Sequence, residues 1–174
     1  MSPLVPLYLL RVLHVVTGAV WVGAVVFIAM FLAPSIRAAG PGGGAVMQQL
    51  MQARRLPLWL MIAGVLTVLS GFTLYWRDSA GFQAAWLGSG PGRVFGLGGI
   101  LAVGAIVVGM GVNTPAARRL GDLTGRLQAA GRPPTPEELL VIERLQARLS
   151  QGARWAALLL VLAATSMAVA RYVP

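Results

Sequence analysis

The chain contains four apolar stretches that are each long enough to cross a membrane as a helix. A helix needs roughly 20 residues to span about 30 Å of hydrocarbon. The stretches run from Leu7 to Leu32, Leu56 to Tyr75, Val94 to Val112 and Trp155 to Tyr172. Hydrophobic residues make up 57% of the chain and charged residues 11%, which leaves too little polar surface for a soluble globule. We therefore expect an all-α integral membrane four-helix bundle that forms one domain over residues 1–174.

The distribution of the basic residues predicts the direction of the spans. All 14 are arginines, and ten of them lie in the two segments that join spans one and two and spans three and four. The opposite side carries the other four, which are Arg11, Arg77, Arg93 and Arg171. By the positive-inside rule, we expect a multi-pass protein of the bacterial inner membrane with both termini outside. Because the arginines are spread between apolar segments, we expect the lipid bilayer as their partner and no nucleic acid.

The connection between spans three and four, residues 115–152, has the pattern of a helical hairpin. Thr135, Pro136 and Glu138 match an N-cap, a first-turn proline and the acid of a capping box. Apolar residues recur at helical spacing on both sides of the turn, at Leu120, Leu123, Leu127, Leu139, Ile142, Leu145 and Leu149. The pattern predicts a short antiparallel hairpin on the cytoplasmic face, which either stabilises itself or docks a partner. Its second helix is expected to continue into span four.

Span three carries small residues on one helical face. Gly98, Ala102, Ala105 and Gly109 are spaced so that they share that face. In lipid, such a face lets two helix backbones approach closely. We expect it to pack inside the bundle, and the alternative is contact with a second copy.

The only histidine, His14, lies inside the first apolar stretch. Counted from Tyr8 at 1.5 Å per residue, it lies on the order of 9 Å into the membrane. The same rise places other polar side chains at a similar depth, together with Met167: Thr17, Ser70, Thr165 and Ser166. Ionisable residues within a membrane often mark a functional path or a cofactor. The alternative is a neutral imidazole that hydrogen-bonds a hydroxyl or a carbonyl and locks the bundle.

The available donor atoms limit which cofactor His14 can hold. One histidine, no cysteine and no acid within a span cannot supply the three or four ligands of a zinc or copper site. A b-type haem needs one or two axial ligands, so His14 alone, His14 with Met167, or His14 from two copies would suffice. Guanidinium groups near the outer face suit haem propionates, although they also suit lipid phosphates. The candidate cofactor-binding residues are His14 as the iron ligand, Met167, Arg11, Arg93, Arg171, Trp21, Ser70 and Ser166.

The segment RVLHVVTGAVWVG, residues 11–23, carries a family resemblance. Arg-x-Leu-His followed by Gly18, Trp21 and Gly23 resembles the first transmembrane helix of the copper-resistance D (CopD)-like membrane proteins. The segment is also similar to the start of the HemJ-type protoporphyrinogen oxidases and of the membrane anchor in PuuD-like urate oxidases. The resemblance is specific to span one and architectural elsewhere. In the HemJ group the matching histidine is a haem ligand, so the resemblance implies that His14 faces a haem.

These observations predict a membrane redox or accessory subunit that binds a b-type haem, or a quinone, near His14 in the outer leaflet. Its role would be electron transfer within a homo-oligomer or a larger membrane complex. The sequence offers no catalytic residues for a self-contained enzyme, since it has no Ser-His-Asp set and no paired carboxylates within a span. One alternative is a cofactor-free structural subunit that docks a partner through its hairpin. A third is a copper-handling membrane protein.

Overall fold

The computed structural model describes residues 4–174, with side chains for residues 5–40 and 43–174. Four helices are long and apolar enough to cross a membrane: Val5–Ala38, Leu56–Asp78, Gly90–Ala129 and Pro136–Tyr172. Each of them contains one of the four predicted spans. The prediction of a helical bundle with four candidate spans is therefore confirmed.

Some of these long helices consist of shorter segments joined by single π-helical turns. The α-helices are, in chain order, α1 (Leu4–Phe27), α2 (Ala33–Ala38), α3 (Pro41–Gln48), α4 (Leu56–Asp78), α5 (Ala84–Leu87), α6 (Gly90–Val108), α7 (Thr114–Ala129) and α8 (Pro136–Val169). The π-helical turns are Ile28–Leu32, Gln49–Ala53 and Gly109–Asn113, and a 3₁₀ turn, Ala170–Tyr172, follows α8. Because a π turn interrupts the regular pattern of hydrogen bonds without ending the helix, α1 continues into α2 and α6 into α7.

The four long helices form two close pairs. α1 packs on α4 and α6 packs on α8, and smaller contacts of α1 with α8 and of α4 with α6 close the bundle. At its centre lie Trp21, which is 5% exposed, Ala105 and Leu160. Small residues dominate the rest of the interior and let the helices approach closely.

The small-residue face of span three packs mainly inside the bundle, as predicted. Gly98 and Ala105 are buried, and Ala102 lies against the central cluster. A Cβ atom on Gly98 would lie 3.2 Å from the carbonyl oxygen of Ala163 in α8, so glycine permits this approach. Gly109 differs, because a Cβ there would have no neighbour within 4 Å. The π turn that begins at Gly109 changes the helix register at this point.

The hairpin between spans three and four is the extension of two long helices. Gly90–Ala129 has 40 residues and Pro136–Tyr172 has 37. At 1.5 Å per residue these helices are about 60 and 55 Å long, roughly twice the thickness of a hydrocarbon core. The predicted stripes pair only in part, because Leu127 is buried whereas Leu139 is 45% exposed.

The start of α8 has the predicted capping box, and an ion pair reinforces it. The Glu138 carboxylate accepts a hydrogen bond from the Thr135 backbone N–H at 2.8 Å, and the Thr135 hydroxyl accepts one from the Glu138 N–H. Both carboxylate oxygens of Glu138 also lie 2.8 Å from the Arg132 guanidinium nitrogens. These bonds, first that to Arg132 and then that to Thr135, lower the pKa of Glu138 from 4.5 to about 2.

The lowered pKa predicts how the start of α8 responds to acid. The ionised carboxylate stabilises the cap fully above the ordinary pKa of 4.5, and this contribution is lost as the pH falls toward 2. We expect the hydrogen-exchange protection of the first-turn amides of α8 to fall over this range. Glu138→Gln keeps an oxygen for the Thr135 N–H but loses the ion pair with Arg132. It should therefore show lower protection at neutral pH and a smaller change in acid, where only Glu137 of the first turn still titrates. An unchanged pH dependence in that variant would show that another group is responsible.

Candidate functional site

His14 projects from α1 toward one turn of α4. Its Nδ1 atom lies 2.9 Å from the Thr67 carbonyl oxygen and 3.3 Å from the Ser70 hydroxyl oxygen. The Ser70 hydroxyl itself donates to the Leu66 carbonyl at 2.6 Å. His14 is half-buried, whereas Thr67 and Ser70 are buried. The imidazole therefore bridges the N-terminal half of α1 and the C-terminal half of α4.

The Thr67 carbonyl fixes the tautomer of His14. A carbonyl oxygen only accepts hydrogen bonds, so the Nδ1 atom must carry the proton and donate it. In the neutral ring, Nε2 then holds a lone pair. Within residues 4–174, Nε2 has no hydrogen-bond partner. It is also not fully buried, because Asn113 Oδ1 is the one fully buried side-chain polar atom without a partner in these residues. Nε2 is therefore an oriented nitrogen donor that is not fully buried.

Gly71 makes this arrangement possible. A Cβ atom on Gly71 would lie 2.7 Å from His14 Cε1, closer than two such atoms can approach. The residue one turn after a helical carbonyl normally shields that carbonyl from the side, because helical side chains lean toward the N-terminus. With no side chain at Gly71, the Thr67 carbonyl is open to the imidazole. Neither Thr67 nor Gly71 was predicted from the sequence as a site residue.

The contact of α1 with α4 repeats one pattern at three levels. His14 lies on Gly71, Gly18 faces Thr67, and Trp21 lies on Gly64. At each level a larger side chain faces a glycine, and the spacing on α1 matches the reversed spacing on α4. In an antiparallel helix pair, this matched spacing of glycines and larger residues is the sequence signal that indicates which residues of α1 and α4 face each other. The Thr67 hydroxyl also donates a hydrogen bond of 2.9 Å to the Thr17 hydroxyl, between the levels of His14 and Gly18.

The structure brings together only part of the predicted cofactor site. Ser70 joins His14, and Trp21 lies deeper in the same helix pair. The Met167 methyl group lies against the position of Gly98 in α6, and the Ser166 hydroxyl donates to the Leu162 carbonyl of its own helix. Thr165 likewise donates to the carbonyl of Val161. The predicted polar level is therefore a connected network on α1 and α4, whereas on α8 it consists of separate hydroxyls.

The three arginines of the predicted cofactor site, Arg11, Arg93 and Arg171, occupy different environments. Arg11, one turn before His14 on α1, lies 3.8 Å from the Asp78 carboxylate at the end of α4. Both side chains remain partly exposed, so this ion pair is weak. Arg93 and Arg171 are exposed near the start of α6 and the end of α8. The guanidinium closest in sequence to His14 thus has a carboxylate neighbour within the bundle.

The donor set around His14 suits a haem better than a metal ion held by protein ligands alone. Within residues 4–174, no three His, Cys, Asp or Glu side chains lie together. One imidazole nitrogen without a protein partner matches the single iron ligand that a b-type haem requires. The carbonyl that accepts from Nδ1 is also the usual outer partner of a ligating histidine, since it fixes the ring and makes Nε2 more basic.

A haem at Nε2 would lie on the outside of the helix pair. Two grooves, of about 450 and 480 Å³, lie in the hairpin and beside the start of α7, and His14 lines neither of them. Neither groove therefore forms a pocket for a ring at Nε2. No family model, curated protein or solved structure matches this chain.

Proposed function

We propose that this chain is a membrane redox or accessory subunit that offers His14 as an axial ligand to a b-type haem. One observation carries the proposal: the Thr67 carbonyl holds the Nδ1 proton of His14 and leaves Nε2 without a partner in residues 4–174. A quinol is the alternative cofactor, because its hydroxyl group can donate a hydrogen bond to this lone pair. A second iron ligand would be His14 of another copy, because Met167 packs against Gly98 of α6 and not beside His14. Electron transfer requires such a cofactor, since side chains here supply no redox centre of their own.

The resemblance to CopD-like and HemJ-type proteins is compatible with this proposal. Three of the residues that carry the resemblance, His14, Gly18 and Trp21, all contact α4. Gly23 does not share this role, because a Cβ there would have no neighbour within 4 Å. The contacts made by these three residues hold the histidine against α4 in one orientation.

Membrane insertion is supported by the surface of the bundle. Large apolar side chains cover it, among them Ile100 at 71% exposure and Leu9 and Val15 at 64%. A water-soluble protein rarely exposes such a continuous apolar surface. We assign the chain to the bacterial inner membrane as a multi-pass protein. The ten arginines of the two inner segments then face the cytoplasm, and both termini face outward.

This orientation is tested with reporter fusions. A reporter at Gly90, before α6, should report the outer side, and a reporter at Gly131, in the hairpin turn, should report the cytoplasm. The reason is the difference of ten arginines against four across the membrane. The reverse pattern would refute the orientation and, with it, the outer-leaflet position of His14.

An optical spectrum of the purified protein tests the haem proposal. The protein is expressed under haem-replete conditions and extracted in mild detergent, and its spectrum is recorded oxidised and reduced. A Soret band in proportion to the protein supports haem binding, and the His14 variants then test the ligand. Its absence under these conditions would refute the haem proposal, and reconstitution with a ubiquinone analogue would then test the quinone alternative by binding.

A cofactor-free structural subunit is the second candidate function. It is favoured by three consecutive apolar residues on the hairpin, Leu139, Leu140 and Val141, which are 45–54% exposed. In this role, the His14 bond to Thr67 would only lock α1 onto α4. Copurification of a stable partner that is lost when residues 120–149 are replaced by a flexible linker would support it. The copper-handling alternative has only one imidazole to offer within residues 4–174.

A further inference from the structure

A groove of about 480 Å³ lies where α4 meets the junction of α6 and α7. Its walls combine apolar and basic side chains, which are Met61, Met110, Thr114, Pro115, Arg118 and Arg119. Met110 and Arg118 are eight residues apart, so the apolar and basic ends are separated by about 12 Å along the helix. The groove therefore has a hydrocarbon-like end toward the bundle and a cationic end toward the hairpin.

The two arginines of the groove have no carboxylate partner. The ion pairs within 4.0 Å that residues 4–174 form are Arg11 with Asp78 and Arg132 with Glu138. Asp122, one turn further along α7, forms neither an ion pair nor part of the groove. Two exposed guanidinium groups without a counter-charge create a site of positive potential, which favours an anion.

The π turn Gly109–Asn113 determines which face of α7 carries the arginines. A π turn contains one more residue than an α-helical turn, so it rotates every later side chain about the helix axis. The Thr114 hydroxyl stabilises the turn by donating to the Gly109 carbonyl at 3.0 Å. Because this hydroxyl is already used as a donor, the strong donors left in the groove are the two guanidinium groups.

We propose that this groove binds one anionic phospholipid of the inner leaflet. The headgroup phosphate accepts hydrogen bonds from Arg118 and Arg119, whose planar donors match phosphate oxygens. An acyl chain lies along Met61 and Met110, whose flexible side chains adapt to an irregular hydrocarbon surface. Basic pockets between transmembrane helices on the cytoplasmic side are known sites of this chemistry. The proposal does not depend on a cofactor at His14.

Lipid retention by matched double variants tests the site. The full chain is reconstituted in equimolar phosphatidylglycerol and phosphatidylcholine and extracted in detergent, and the retained lipids are measured by mass spectrometry. R118Q/R119Q removes the proposed site, whereas R144Q/R148Q removes the same charge from exposed hairpin positions outside the groove. At about 1 kcal/mol, or roughly fivefold, per basic residue, losing both groove arginines should lower the phosphatidylglycerol preference by about 25-fold. The control should keep the wild-type preference.

Two further arms separate the lipid from a free anion and from general surface charge. Met110→Trp fills the apolar end and keeps both arginines, so it should also lower phosphatidylglycerol retention. Inorganic phosphate should displace the lipid poorly, since it lacks an acyl chain. Equal losses in the two double variants, full retention in Met110→Trp, or complete displacement by phosphate would each overturn the proposal.

Discussion

Replacing His14 with alanine is expected to abolish haem binding while the four helices still insert. His14 is the only imidazole in the chain, and its Nε2 is the nitrogen donor that the bundle orients. Loss of an outer partner of a metal ligand alone weakens binding about 10–100-fold, so loss of the ligand itself should exceed about 100-fold. The measurement is the haem content per protein after purification, with membrane insertion checked by alkaline extraction.

The hydrogen bond to Thr67 defines the matched control. It is Nδ1, not Nε2, that donates to the carbonyl, and the amide nitrogen of asparagine occupies nearly the position of Nδ1. His14→Asn should therefore keep the bond between α1 and α4 and lose only the iron ligand. We expect it to lose haem as completely as His14→Ala does. In the absence of cofactor it should remain more stable than His14→Ala by about 0.5–1.5 kcal/mol.

The two variants distinguish ligation from simple helix locking. If wild type contains haem and both variants keep its spectrum unchanged, His14 is not the ligand. If wild type binds no haem, and only His14→Ala loses stability, the imidazole is a hydrogen-bonding strut between the spans. In that case the cofactor-free structural subunit becomes the better description.

The helices of this protein could be predicted because long apolar stretches are a strong sequence signal. Four apolar stretches and the capping box at Thr135 locate the long helices and the start of α8, and the structure agrees. The π turns were not predicted, since a single added residue barely changes hydrophobic periodicity. The helix around Leu120–Leu127 was predicted, but its continuity with span three through the π turn Gly109–Asn113 was not.

Only the position of the candidate site along the helices could be predicted from the sequence. The expected rise per residue correctly brought His14 to the level of Ser70, but Thr67 was not considered as its main partner. That partner is a backbone carbonyl, and no side chain in the sequence identifies an open carbonyl. The relevant clue is Gly71, which uncovers the Thr67 carbonyl by having no side chain. Only the register of α1 against α4 shows which glycine does so.

The same register predicts a large loss of stability when Gly64 is replaced by leucine. A Cβ atom at Gly64 would already lie 3.0 Å from Trp21 Cε2 and Cζ2, and leucine adds three further carbons. Trp21 is 5% exposed at the centre of the bundle, so the indole has little room to move. Overpacking of this kind costs about 1–3 kcal/mol. We expect a lower midpoint of thermal unfolding, followed by circular dichroism in detergent.

Gly23→Leu makes the same change in composition without the clash. A Cβ atom at Gly23 has no neighbour within 4 Å, so the leucine would extend into lipid or detergent, and the midpoint should stay near that of wild type. If both variants unfold alike, the α1–α4 register described here is wrong. The double variant Gly64→Leu/Trp21→Ala identifies the source of the loss, because truncating the indole makes room for the leucine. The double variant should then be more stable than the sum of the two single changes predicts, and strict additivity would mean that the contact between Trp21 and Gly64 does not hold α1 against α4.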